Sequence, residues 1–141
     1  MKKRCSIIIL IAILIGSLTV SYLIIRKNNC NNLIMSATLI GEGYTASFDE
    51  NGLISYKSLS SRLRRLVDEK TFRSIKTWFD ADEIFQQIQP PEKLTSSYTL
   101  TYNKPIELNG KKYLVNYNVY FVDSIFGYKI DYIDIDIQPQ L

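Results

Sequence analysis

The stretch "SYTLTYNKPIELNGKKYLVNYNVYFVD", residues 97–123, decides the fold. Ser97–Leu108 and Lys111–Asp123 are rich in β-branched and aromatic residues, and only Asn109-Gly110 separates them. A two-residue turn of this composition takes positive φ at both positions and folds its flanks into an antiparallel hairpin. Along the second arm Tyr113, Val115, Tyr117, Val119 and Phe121 share one face, the better core candidate. Leu114, Asn116, Asn118, Tyr120 and Val122 lie opposite. Pro105 has no N–H to give a ladder, which places its part of the first arm at an edge or a bulge.

Toward the C-terminus, Gly127–Ile137 reads as a further strand. Ile130 and Tyr132 keep one phase while Ile133, Ile135 and Ile137 keep the other, which predicts a bulge near Tyr132-Ile133. Toward the N-terminus, Pro90-Pro91 stops a short helix that Asp80 and Glu83 open as a capping box and that runs through Gln87. Before it, Leu63, Leu66, Val67, Ile75, Trp78 and Phe79 fall on one side of a helical segment, with Arg62, Arg65, Glu69, Arg73 and Lys76 opposite. Two starts compete for that helix. Arg62, Arg64 and Arg65 in a first turn oppose the helix dipole, whereas Asp68 as cap suits it. Farther back, Leu33–Ile40 reads as a strand, and Tyr44–Phe48 and Leu53–Leu59 read as a hairpin around Asp49-Glu50-Asn51-Gly52. The expected fold is α+β: residues 33–141 form a small, mainly antiparallel β domain with a helical insert.

The chain opens "MKKRCSIIILIAILIGSLTVSYLIIRKNN", residues 1–29, in which Cys5–Ile25 is 21 residues without a charge. A helix of that length spans about 30 Å, a bilayer's hydrocarbon core. A cleaved signal has a shorter apolar core, about 7–15 residues, and small residues before the cut. Tyr22, Leu23, Ile24, Ile25 and Arg26 stand here instead. The stretch therefore reads as an uncleaved transmembrane signal anchor, residues 5–25. Residues 1–4 become a cytoplasmic tail, and residues 26–32, with Asn28, Asn29, Asn31 and Asn32, a polar linker. The larger count of cations before the span favours a cytoplasmic N-terminus and a domain exported to the periplasm of a bacterial inner membrane.

Charge divides in the same way. Lys2, Lys3, Arg4, Arg26 and Lys27 are five of the 17 Lys/Arg, and none of the 14 Asp/Glu precedes residue 28. The remainder carries 12 cations against 14 acids, a net of −2, which is not a nucleic-acid-binding balance. Of the two cysteines, Cys5 sits at one end of the span and Cys30 beyond the other, about 30 Å apart, too far for a mutual disulfide.

The available chemistry is sparse. With no histidine, the usual neutral-pH base, the Ser-His and Cys-His pairs and a zinc site of ordinary composition are all missing. Asp123, Asp131, Asp134 and Asp136 offer oxygen ligands for calcium, but a strand's polar face explains their spacing and no calcium-loop spacing is present. Lys57, Arg62, Arg64, Arg65, Lys70, Arg73 and Lys76 read as a solvated face, with anionic lipid or an acidic partner as the alternative. The remaining feature is aromatic: ten tyrosines, six phenylalanines and one tryptophan, all but Tyr22 beyond the span. Tyrosine-bearing strands make good interfaces. Tyr113, Tyr117, Phe121, Tyr128 and Tyr132 are thus the candidate partner- and ligand-binding residues. No catalytic residue and no cofactor is expected.

A very short tail, one span and a β-rich exported domain resemble the FidL-like and ToxS-like small membrane proteins of enteric bacteria. The stretch "ASFDENGLISYKS" (46–58) looks like the family's strand, glycine turn and strand; "YLVNYNVYFVD…YKIDYIDIDI" (113–137) looks like its closing strands. The resemblance implies a partner, a membrane-bound ToxR-like regulator with a cytoplasmic winged-helix domain. It further implies that two periplasmic domains together form a lipocalin-like barrel, in which this chain is half, able to take a small apolar ligand such as a bile acid. The expected function is a non-enzymatic accessory and sensory subunit. An inner-membrane structural or immunity-type binding protein is the alternative, and a carboxylate hydrolase a distant third.

Overall fold

The computed structural model describes residues 2–43, 48 and 54–141, with side chains from residue 5 onward. Its first element, α1, is one unbroken helix, Lys2–Glu42. Every side chain from Cys5 through Ile25 is exposed, and this helix is long and apolar enough to cross a membrane. Beyond residue 32 the pattern changes. Leu33, Ala37 and Ile40, at positions i, i+4 and i+7, are buried on one face. Gly41 continues that face beneath the Tyr102 ring, where an added Cβ would fall 2.9 Å from Tyr102 Cγ.

Two expectations are corrected by α1. Residues 26–32 are helix rather than linker, and Leu33–Ile40 is helix rather than strand. Once a helix is nucleated, each further residue adds a hydrogen bond. Asparagine's lower propensity, about 0.7 kcal/mol at most per residue, does not stop such a helix. Tertiary contact offsets part of that cost, since Asn29 Nδ2 donates to Phe126 O at 2.8 Å. At Leu33–Ile40 a short apolar run suits either element, and burial of one helical stripe decides it.

The predicted hairpin forms. β1 (Tyr98–Leu108) and β2 (Lys111–Ser124) pair antiparallel around Asn109 (φ 52°) and Gly110 (φ 74°). β3 (Gly127–Gln140) pairs with β2, completing a three-stranded antiparallel sheet in the order β1-β2-β3. Val115, Tyr117, Val119 and Phe121 face the core together with Ile130, Ile133 and Ile135. The bulge lies one position earlier than expected. Tyr120 pairs with Tyr132 and Phe121 with Ile130, so Asp131 is the extra residue. Its carboxylate accepts from Ser60 Oγ at 2.6 Å, and its carbonyl accepts from Arg62 Nη2 at 2.5 Å. Nearby, Ser60 N donates to Ile130 O at 2.7 Å. The bulge therefore presents Asp131 to Ser60 and Arg62 at the start of the helical insert.

Where an amphipathic helix reaching Phe79 and a short one through Gln87 were expected, there are three short ones: α2 (Ser61–Leu66), α3 (Glu69–Ser74) and α4 (Trp78–Gln86). The breaks fall at Val67 and Ile75, both extended and both buried, so each break turns a β-branched side chain into the core. Asp68 caps α3 as expected, accepting from Thr71 N. The arginines do occupy the short α2, whose N-cap is Ser60. Asp80 is not the cap of α4. Thr77 is, and Asp80 is the residue that returns to it, accepting from Thr77 N at 2.9 Å. Thr77 has the extended backbone that a cap requires, one turn earlier than the acidic pair suggested.

Of the expected first hairpin, Phe48 and residues 54–59 are among the described residues. Within its second arm Tyr56–Ser58 is a 3-10 turn, and Leu59 makes a single parallel bridge to Ile130. Residues 44–47 and 49–53, including the Asn51-Gly52 turn, lie outside the described residues. Phe48 is buried in the core, with ring contacts to Phe72, Phe85 and Tyr117.

Candidate functional site

The five aromatic candidates do not form one patch. Tyr117 is 1% exposed, edge-on to Trp78 at 5.2 Å, and burial pushes its phenol far above the ordinary tyrosine range. Among the described residues neither its hydroxyl nor Trp78 Nε1 has a hydrogen-bond partner. Phe121 is also core, touching Tyr98 and Tyr128. Tyr128 is half-buried beside them and stacks on Tyr98 at 6.4 Å. Tyr113 is half-buried against the edge of Phe79. Tyr132 lies across the sheet with Tyr120 at 5.6 Å, its phenol raised by burial and by Asp134 nearby. Alternation along β2 and β3 explains the split: it identifies a shared face but not which face meets a partner.

The carboxylates are each engaged separately. Asp123 pairs with Arg26 at 2.7 Å, and Asp131 with Ser60 and Arg62. Asp134 accepts from Asn118, and Asp136 from Asn116 and Gln138. Among the described residues no group of three or more acidic, histidine or cysteine side chains gathers as a metal site. The basic run is likewise dispersed: Arg62 binds the bulge, and Arg73 pairs with Glu69 one turn away at 2.8 Å.

What the fold does assemble is a junction between α1 and the β2–β3 turn. Tyr22 Oη donates to Ile125 O at 2.5 Å, Arg26 Nη2 to Asp123 Oδ1 at 2.7 Å, and Asn29 Nδ2 to Phe126 O at 2.8 Å. These donors lie at i, i+4 and i+7 and share one face of the helix. Gly127 (φ 141°) lets the turn approach, since a Cβ there would fall 2.9 Å from Asn29 Cβ. Beside the junction is a cleft of about 370 Å³ lined by Asn29, Asn32, Ser36, Ser55, Ser58 and Lys129, among others. Lys129 donates to Lys57 O at 2.6 Å, and burial, with Arg64 nearby, lowers its ammonium from the ordinary lysine range. Leu33, Phe126 and Tyr128 complete the lining, so the cleft mixes polar and apolar surface. The sequence held one sign of the junction, three polar side chains at helical spacing next to an apolar run; their partners, about a hundred residues away, are not readable locally.

At the opposite side of the sheet, β1 pairs with β2 alone among the described strands. Lys104 Nζ donates to Glu42 O and Gly43 O, and Tyr102 Oη to Glu42 Oε1, tying the edge strand to the end of α1. Compared with protein-family models, with curated proteins and with solved structures, the chain finds no match in any of the three.

Proposed function

We propose that this chain is a non-enzymatic, membrane-anchored accessory and sensory subunit. Residues 5–25 span a bacterial inner membrane, and the domain lies in the periplasm. There it binds and modulates a membrane-bound, ToxR-like transcriptional regulator. The observation that carries this reading is the continuity of α1, which places an apolar run and three core residues, Leu33, Ala37 and Ile40, on one helix. Without a flexible linker, a change in the domain's packing tilts or turns the span, the movement a signalling partner in the same membrane can read.

The partner surface is the outer edge of β1, which has β2 as its one neighbour among the described strands. Its first half, Tyr98–Asn103, pairs on one side only among the described strands and is suited to strand addition, while Lys104 and Pro105 guard the second half. Three strands closed on one side by helices suit half of a barrel that the regulator's domain completes. Shared confinement to one membrane raises the effective concentration of the two proteins. The mixed lining of the cleft beside α1, with Lys129 next to Leu33, Phe126 and Tyr128, suits a small amphipathic ligand such as a bile acid.

A photoreactive residue at Thr99 or Thr101, in the full chain in intact cells, tests this. The expected product is a cross-link to a single-span protein that has a cytoplasmic DNA-binding domain. A membrane-inserted chain that cross-links to no such protein contradicts the proposal.

A further inference from the structure

We infer that the β2–β3 turn is a second membrane-contact site, with Ile125 and Phe126 seated in the bilayer leaflet from which α1 emerges. The inference rests on the reading of residues 5–25 as a span.

Three observations support it. The first is depth. Helical side chains lean toward the N-terminus, so the Tyr22 hydroxyl lies on the span side of its own Cα. That hydroxyl holds Ile125 O. Arg26, which ends the apolar run, is four residues farther on, about 6 Å along the axis. The turn is therefore level with the last apolar turn of the helix. The second is exposure. Ile125 is 72% and Phe126 66% exposed, more than any other large apolar side chain described after residue 25 except the terminal Leu141.

The third is the backbone. Ile125 O accepts from Tyr22, Phe126 O from Asn29, and Gly127 O from Ser124 Oγ at 2.8 Å. A turn surrounded by water needs none of these bonds, because water supplies them. At a lipid boundary an unbonded carbonyl is costly, and here three consecutive ones are satisfied from within. The neighbouring charge, Asp123, is paired with Arg26. Two apolar side chains point out, three carbonyls are bonded within, and the adjacent carboxylate is paired.

The consequence is orientational. A single helix leaves a domain free to rotate about the helix axis, whereas a second contact fixes which way the β1 edge points in the membrane plane.

The test uses full-length protein carrying Cys5→Ser and Cys30→Ser in nanodiscs of phosphatidylcholine and phosphatidylglycerol. Single nitroxide labels are placed at Leu14→Cys, Ile125→Cys, Phe126→Cys and Lys111→Cys, and accessibility to oxygen is compared with accessibility to a water-soluble nickel chelate. The inference expects Leu14 and at least one of Ile125 and Phe126 to favour oxygen, and Lys111 to favour nickel. If both turn labels behave as Lys111 does while Leu14 favours oxygen, the span stands and the turn contact is overturned. If Leu14 also favours nickel, the span reading and this inference fall together.

Discussion

The two halves of α1 obey different rules within one helix. From Cys5 through Ile25 it is uncharged on every side and exposed; from Leu33 it is amphipathic, with Leu33, Ala37 and Ile40 packed into the core. A helix apolar all round asks for an apolar solvent, while a striped one asks for a protein neighbour. Between them, Tyr22, Arg26 and Asn29 attach the β2–β3 turn. The difference shows that an apolar helical segment and a packed domain can be joined without a linker when one helix changes its pattern rather than its course.

Breaking the second half has the largest expected effect. Met35→Pro, at an exposed position, is predicted to cost the domain about 3 kcal/mol or more through the lost hydrogen bond and ring clash. Ile13→Pro in the apolar half leaves the domain's melting unchanged; thermal denaturation in detergent compares the two. Next is overpacking. Ala37 is fully buried, so Ala37→Leu is expected to destabilise by about 1–3 kcal/mol, whereas Ala12→Leu stays within about 0.5 kcal/mol.

Acid separates the halves in another way. Hydrogen bonds from backbone N–H groups and threonine at helix N-termini hold Asp68 and Asp80 below the usual carboxylate range. Because their folded pKa values are depressed, the stability they contribute is present above the unfolded value, about 3.9, and is lost as pH falls through the folded one. Melting temperature is expected to fall below about pH 4 and to fall less steeply in Asp80→Asn. Residues 5–25 hold no acid, so their helicity stays level across that range. The smallest effect is expected at the joint. Arg26→Ala removes a partly exposed ion pair and costs the domain about 1 kcal/mol or less.

Local chemistry made the hairpin legible. Asn109-Gly110 specifies a turn by its own φ values, and alternation from Tyr113 to Phe121 identified the buried face. Length and lack of charge likewise marked residues 5–25. What escaped was decided at a distance. Leu33–Ile40 contains branched residues that suit a strand, and its helical stripe becomes visible only once β1 and β3 lie beneath it. Four asparagines looked like a linker because propensity is local, whereas helix continuation depends on what precedes and follows. Val67 and Ile75 interrupted a good amphipathic pattern because the core needed both side chains inward. Tyr117 lies on the face that alternation marks as core, and it is packed there, with its hydroxyl unpartnered among the described residues.

The continuity of α1 implies that its apolar half and the domain move as one body. Double electron–electron resonance between nitroxides at Leu14→Cys and Lys111→Cys, in the full-length cysteine-free background in nanodiscs, measures this directly. A rigid α1 predicts a single narrow distance distribution, broadened by Met35→Pro. A broad or multiple distribution in the parent protein would show a hinge between the two halves and would contradict the account.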